Sequence, residues 1–305
     1  MNSLMTLVFI MTPLFLGFAI RLPKAFLPWI DKGLAWLVYV ILVLIGVSLS
    51  GVKSLGTQIG WVTLSAVLLF VLVLGANVLA LMWFDRAHPW QRLKQVKRQL
   101  GKAQVSVSGS LQQISCVLIG LALGKAIPPA VLLLEASGTY ALMLLVFLVG
   151  LQLRSSGITL RQVLINKRGV QTSVLVVFSA LMAGLLFAAL IPQVSWSQGL
   201  ALASGFGWYS LSGIVMTEAY GPLWGSVALL NDLVREFFAL AFIPLLMRNH
   251  PSAAVGVGGA TSLDFTLPII QSSGGLEVVP LAISFGFIIN IIAPILMVMF
   301  TTFTF

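Results

Sequence analysis

The chain has 305 residues, of which 59% are hydrophobic and only 8% charged. Soluble domains carry about 25% charged residues, and a mean hydropathy of +1.07 leaves too little polar side chain to cover a water-soluble globule. The net charge of +9 does not call for nucleic acid, because the basic residues sit in a few short loops, the pattern of the positive-inside rule.

Apolar segments run at 4–20, 34–50, 61–84, 112–127, 131–151, 170–192, 199–217, 224–247, 252–272 and 278–302. A straight helix needs about 20 residues to cross a bilayer, so several are long enough and a few are marginal. None shows the sustained period-two alternation of a barrel strand. The expected fold is an all-α polytopic membrane protein with 8–10 transmembrane segments, in a single domain, 1–305. No Lys or Arg precedes the first segment, whereas a secretory signal peptide carries a basic start, so it reads as a retained span. Cys116 lies in an apolar run and, being alone, allows no internal disulfide.

The loops orient the chain. Arg21, Lys24 and Lys32 lie in 21–33; Arg86, Arg92, Lys94, Lys97, Arg98 and Lys102 in 85–111; Arg154, Arg161, Lys167 and Arg168 in 152–169. All three loops share one side if the first six segments cross. That side is expected to be the cytoplasm, which places both termini on the outer side of the membrane. The run Trp90–Leu100 can form a basic helix lying on anionic headgroups, or a solvated topogenic linker.

Beyond residue 192 two topologies fit. If every segment crosses, there are ten spans, and halves 1–151 and 170–305, joined by the basic loop 152–169, form a 5+5 inverted repeat. The fourth segment (Gly120, Gly124, Pro128, Pro129) then matches the ninth (Gly258, Gly259, Pro268), a pointer to a transporter site. If 199–217 and 252–272 are instead re-entrant hairpins from opposite faces, there are eight spans and Arg248 is cytoplasmic.

Chemistry concentrates in 199–277. In lipid every backbone polar group must be satisfied internally, so helix breaks are tolerated only where protein encloses them. Gly205, Gly207 and Gly213 in one segment, and Gly258, Gly259 and Pro268 in another, mark such breaks. A carboxylate at mid-membrane costs about 2.5–3.5 kcal/mol even on a lenient scale. Asp232 lies in a long apolar segment with Arg235 and Glu236 one turn on, so all three can share a face; the plain alternative is an internal ion pair. Asp264 has hydroxyls around it, Thr261, Ser262 and Thr266, and could instead cap a half-helix. Trp208 and Tyr209, with Ser210 and Ser212, form either a pocket wall or an interfacial belt. Asn77 and Asn290 are mid-span amides suited to bonding across helices.

Enzyme signatures are scarce. His88 and His250 precede prolines at segment edges, which leaves no His-based metal site or triad. Gly120–Lys125 is one residue short of a phosphate loop, and Ala126 replaces its hydroxyl. Neither an enzyme nor a cofactor is implied, and transport would have to run on ion or substrate gradients.

With Gly205–Gly213 (GFGWYSLSG), Asn231–Glu236 (NDLVRE) and Gly259–Pro268 (GATSLDFTLP) in view, the sequence resembles the LysO family of bacterial inner-membrane lysine exporters. The likeness extends weakly through Leu148–Arg154 and Ala80–Trp83. The resemblance implies export of L-lysine and its analogue thialysine, with intramembrane acidic residues required, a role it carries onto Asp232 and Asp264. Two aspartates suit the two ammonium groups of lysine, and a half-helix N-terminus suits its carboxylate. A carboxylate that takes either a proton or the substrate ammonium gives proton antiport. The rival readings are a monovalent cation/proton antiporter, an exporter of another amino acid, a passive channel and a structural subunit.

Overall fold

The computed structural model describes residues 3–20, 22–50, 55–90, 108–126, 134–155 and 165–303, and these are helical, with no strand among them. The long helices are α1 (Ser3–Ala19), α2 (Leu27–Ser50), α3 (Leu55–Ala87), α4 (Ser108–Ala126), α5 (Leu134–Ser155), α6 (Lys167–Leu190), α9 (Pro222–Leu246) and α12 (Val279–Thr302). Between α6 and α9 stand the half-helices α7 (Trp196–Ala203) and α8 (Tyr209–Tyr220). Between α9 and α12 stand α10 (Pro251–Gly258) and α11 (Leu267–Gly274). By length and composition alone, Pro28–Val47, Gln58–Ala87, Lys167–Leu190 and Leu276–Thr302 can each cross a membrane. α9 is as long, but Asp232, Arg235 and Glu236 interrupt its apolar run.

Side-chain pairs fix the directions of the helices. Trp61 meets Trp224 edge-on at 5.0 Å and Phe70 meets Phe238 at 6.0 Å, so α3 and α9 run parallel. Asn77 faces Ser179, and Asp85 faces Arg168, so α3 and α6 run antiparallel. The pair α7–α8 therefore enters where α6 ends and leaves where α9 begins, at one end of the bundle. The pair α10–α11 begins beside Asp85, whose carboxylate accepts Ser252 N at 2.9 Å. It ends at Gly274, against Met247 at the foot of α9, and α12 then starts with Ser284 against Gly169 of α6. Both of its ends lie at the opposite end of the bundle. Two hairpins thus enter the bundle from opposite ends.

The helices start and pack for identifiable reasons. The Asn166 side chain accepts Gly169 N at 2.9 Å at the head of α6, and Ser195 accepts Gln198 N at 3.2 Å at the head of α7; each satisfies a donor that a helix start leaves open. Small residues let backbones approach, as in membrane helix pairs generally: Gly184 of α6 lies against Gly199 of α7, and Gly46 of α2 against Gly120 of α4. α4 is unbroken as far as Ala126, with Gly120 and Gly124 packed on α2. Pro128, Pro129, Arg161 and the basic run 91–102 lie outside the described residues.

Candidate functional site

The hairpins meet at their breaks. After α7 the chain turns through Gly205, Phe206 and Gly207, with φ of +48° at Phe206 and +86° at Gly207. After α10 it turns at Gly259 (φ +60°) into a tight 3-10 turn, Gly259–Leu263. Ala260 N donates to Phe206 O at 2.9 Å, so the backbones bond directly where they cross. A Cβ on Gly259 would overlap that Phe206 carbonyl. Gly213 does not break its helix, contrary to expectation: it lies within α8, packed against Leu229 and Ile45. Gly258 is the last residue of α10, and Pro268 sits in the first turn of α11, where a missing N–H costs nothing.

The carbonyls that α10 leaves open at its end are each met. Val255 O accepts from Ser262 Oγ at 2.7 Å and Gly258 O from Thr261 Oγ1 at 2.8 Å. Arg235 Nε donates to Val257 O at 3.1 Å and Arg235 Nη2 to Gly256 O at 2.7 Å. The hydroxyls of Thr261 and Ser262 thus close a helix end that would otherwise be buried with open acceptors. Thr266 Oγ1 lies 3.4 Å from Thr261 Oγ1, under Gly258.

Asp232, Arg235 and Glu236 are all buried on α9, yet they serve different places. Asp232 Oδ1 accepts from Gly207 N at 3.1 Å and from Asn231 Nδ2 at 2.8 Å. Its other oxygen lies over Gly205, beside Ser212. Arg235 reaches the opposite break, so each charge holds backbone of a different hairpin. Glu236 faces a cavity.

That cavity has a volume of about 190 Å³ and lies at the crossing. A single water needs only about 10–15 Å³, so there is room for a small solute. Glu236 and Asp264 bring carboxylates to it from different elements; Gln152, Ser210, Thr261 and Asn290 add neutral polar groups. Trp208, Tyr209 and Phe265 give it aromatic surface, and Leu34, Val38 and Val149 of α2 and α5 close the side away from the breaks. Asp264 is exposed; its Oδ1 accepts Phe265 N at 2.6 Å, and its carbonyl accepts Leu267 N at 3.2 Å at the head of α11. Asp232 does not line this cavity; Gly207 stands between them.

Two amides do more than the sequence reveals. Asn290 Nδ2 donates to Ala260 O at 2.8 Å, bracing the second break from α12. Asn77 has one orientation that satisfies both of its ends: oxygen towards Arg235 Nη1 at 3.2 Å, nitrogen towards Ser179 Oγ at 2.7 Å and Val176 O at 3.0 Å. Asp85 carries no signal beyond its place at a helix end. Even so, it accepts Ser252 N and Ala253 N at the head of α10 and pairs with Arg168.

Crossed, broken hairpins over a polar cavity inside an apolar helical bundle fit the class of multi-pass membrane transporters. The family model described as lysine exporter LysO matches residues 114–301. The lysine exporter LysO of Escherichia coli K12 is 41% identical over 296 residues, spanning 97% of this chain and 98% of its own length. A candidate lysine exporter of Haemophilus influenzae is 47% identical over 190 residues, 62% of this chain and 97% of its own. The chain belongs to the lysine exporter LysO family. No solved structure matches it.

Proposed function

We propose that this protein exports L-lysine, and its analogue thialysine, from the cytoplasm in exchange for protons, with Glu236 and Asp264 as the carboxylates that take substrate or proton. The observation that carries this reading is the convergence of those two side chains on one cavity at the helix crossing. Lysine leaves as a cation with ammonium groups at both ends, and two carboxylates from separate elements suit it. Its own carboxylate suits the start of α8, where Trp208, Tyr209 and Ser210 reach the cavity and no side chain caps the helix. The names of the family and its relatives, lysine exporters, support lysine as the substrate and outward movement as its direction.

Lys32, Arg86, Arg154, Lys167, Arg168 and Arg248 sit at the end of the bundle where α3 finishes and α6 begins, and Lys125 at the other. The positive-inside rule then makes the first end cytoplasmic, with eight crossings and both termini outside. The cavity lies in the half nearer the basic end, since its α2 residues come early in that helix and Gln152 comes late in α5. This is the loading side for an exporter.

Moving one positive charge outward against an inside-negative potential costs about 2.3 kcal/mol per 100 mV. One proton entering per lysine leaving cancels that cost and leaves the pH gradient as drive. The test is efflux of labelled lysine from preloaded proteoliposomes, with and without an imposed proton gradient. Stimulation in the wild type and its loss in both Glu236→Gln and Asp264→Asn is the expected result. Wild-type efflux indifferent to the gradient would remove proton coupling and leave a uniporter or channel.

A further inference from the structure

Arg235 is a buried cation, 2% exposed, that does not line the cavity. It stands between the two breaks. A Cβ on Gly207 would lie 3.3 Å from its Cδ, and one on Gly259 would lie 3.3 Å from its Nε. Its donors go to Val257 O, Gly256 O and the Asn77 amide oxygen. The carbonyls at a helix C-terminus carry a share of about half a negative charge. In carriers with broken helices, such half-helix ends and unwound carbonyls commonly coordinate a coupling cation. Here a guanidinium belonging to the chain fills that position.

We propose that Arg235, braced by Asn77, is the fixed cation of the helix crossing: a positioning residue that sets the Gly259–Thr266 turn so that Asp264 faces the cavity, and a built-in replacement for a coupling Na⁺ or K⁺. The proposal rests on the lysine-transport reading for its second half only. An internal ion pair with Asp232 does not account for the geometry. Asp232 Oδ1 is held by Gly207 and Asn231, and the guanidinium is aimed at carbonyls of another hairpin. If mutual neutralisation were the purpose, removing both charges would be harmless. If Arg235 positions the turn, the double variant stays impaired, because Gly256 O and Val257 O lose their donors either way.

Two measurements separate these cases. Lysine efflux under a fixed pH gradient is followed in NaCl, KCl and choline chloride for the wild type, Arg235→Met, Arg235→Lys and Asp232→Asn/Arg235→Met. Separately, in purified protein with Cys116→Ser, a water-soluble maleimide reports access to Phe265→Cys, whose native side chain lines the cavity next to Asp264. Wild-type flux is expected to be equal in all three salts. Arg235→Met should raise the KM for lysine about tenfold or more, the weight of a charge-assisted hydrogen bond, and change the labelling rate. Arg235→Lys should recover most of both, since an ammonium can donate to the same carbonyls. Should Arg235→Met fail to fold, Asn77→Leu keeps the charge while removing its brace, and should raise KM in the same direction. The proposal is overturned by wild-type flux that stops in choline, by wild-type KM in the double variant or in Asn77→Leu, or by unchanged labelling in Arg235→Met. If the wild type moves no lysine, the transport reading fails, while the labelling arm still decides whether Arg235 positions the turn.

Discussion

Asp232 and Glu236 stand one helical turn apart on α9, and the break at Gly207 assigns them different work. Asp232 accepts the backbone N–H of that break, and Glu236 lines the cavity. Asp232→Asn keeps an acceptor for Gly207 N but removes the charge, so it should cost stability by about 1–3 kcal/mol, read as a lowered thermal midpoint in detergent. Gradient-driven lysine efflux should survive in part, in contrast to its loss in Glu236→Gln. The glycines make a second contrast. Gly259→Ala forces a left-handed backbone, at about 1–2 kcal/mol, and drives a methyl into Phe206 O. Gly213→Ala meets only the tip of Ile45, at 3.0 Å, and the Leu229 side chain. The first should abolish correctly folded protein in a detergent sizing assay, and the second should leave its elution unchanged. The sequence singles out 199–277 as the candidate stretch, because polar groups there interrupt an apolar run. It cannot show which carboxylate meets the cavity, since the N–H that Asp232 accepts lies 25 residues away, in the break of the first hairpin.

At the scale of elements, a half-helix that starts inside a protein needs its first N–H groups met, and the partner for α10 is Asp85, at the end of α3. Its carboxylate accepts Ser252 N at 2.9 Å and Ala253 N at 3.2 Å, and pairs with Arg168. Arg168 is sandwiched in turn by Phe84 and Trp90, at 5.2 and 4.8 Å from their centroids, and donates to Ser252 Oγ at 2.9 Å. This latch fastens the second hairpin to α3 and α6. Asp85→Ala should destabilise the protein by about 1–3 kcal/mol, the cost of leaving buried donors unmet. Amide exchange should show the loss at Pro251–Gly258 before α3 or α6. The sequence offers Arg168 only as one more topogenic charge and gives Asp85 no signal beyond its place at a segment edge. Their capping role depends on a contact between residues more than eighty positions apart.

At the scale of the molecule, long apolar runs and the placement of basic loops foretell an all-helical bundle with one basic end, because both follow from what a bilayer excludes. Whether a Gly-rich apolar segment crosses or turns back is a different matter. Segments 199–217 and 252–272 are apolar enough for either, and what places their ends in the bundle is contact with neighbours: Trp61 against Trp224 and Asp85 against Ser252. The cavity lies at the crossing of the hairpins, in the half of the bundle nearer the basic end, and Asp232 lies beyond Gly207 from it. A carrier in this state should be reachable from the basic end alone. Ala35 lines the cavity from α2, early in that helix and thus near the basic end. With Cys116→Ser, Ala35→Cys should react with a membrane-impermeant maleimide in inside-out vesicles and resist it in intact cells, and excess lysine should slow the reaction. Labelling from the outer face alone would reverse the assigned orientation. Labelling from both faces at equal rates would mean that the crossing does not seal the path, and the exchange mechanism would give way to a channel.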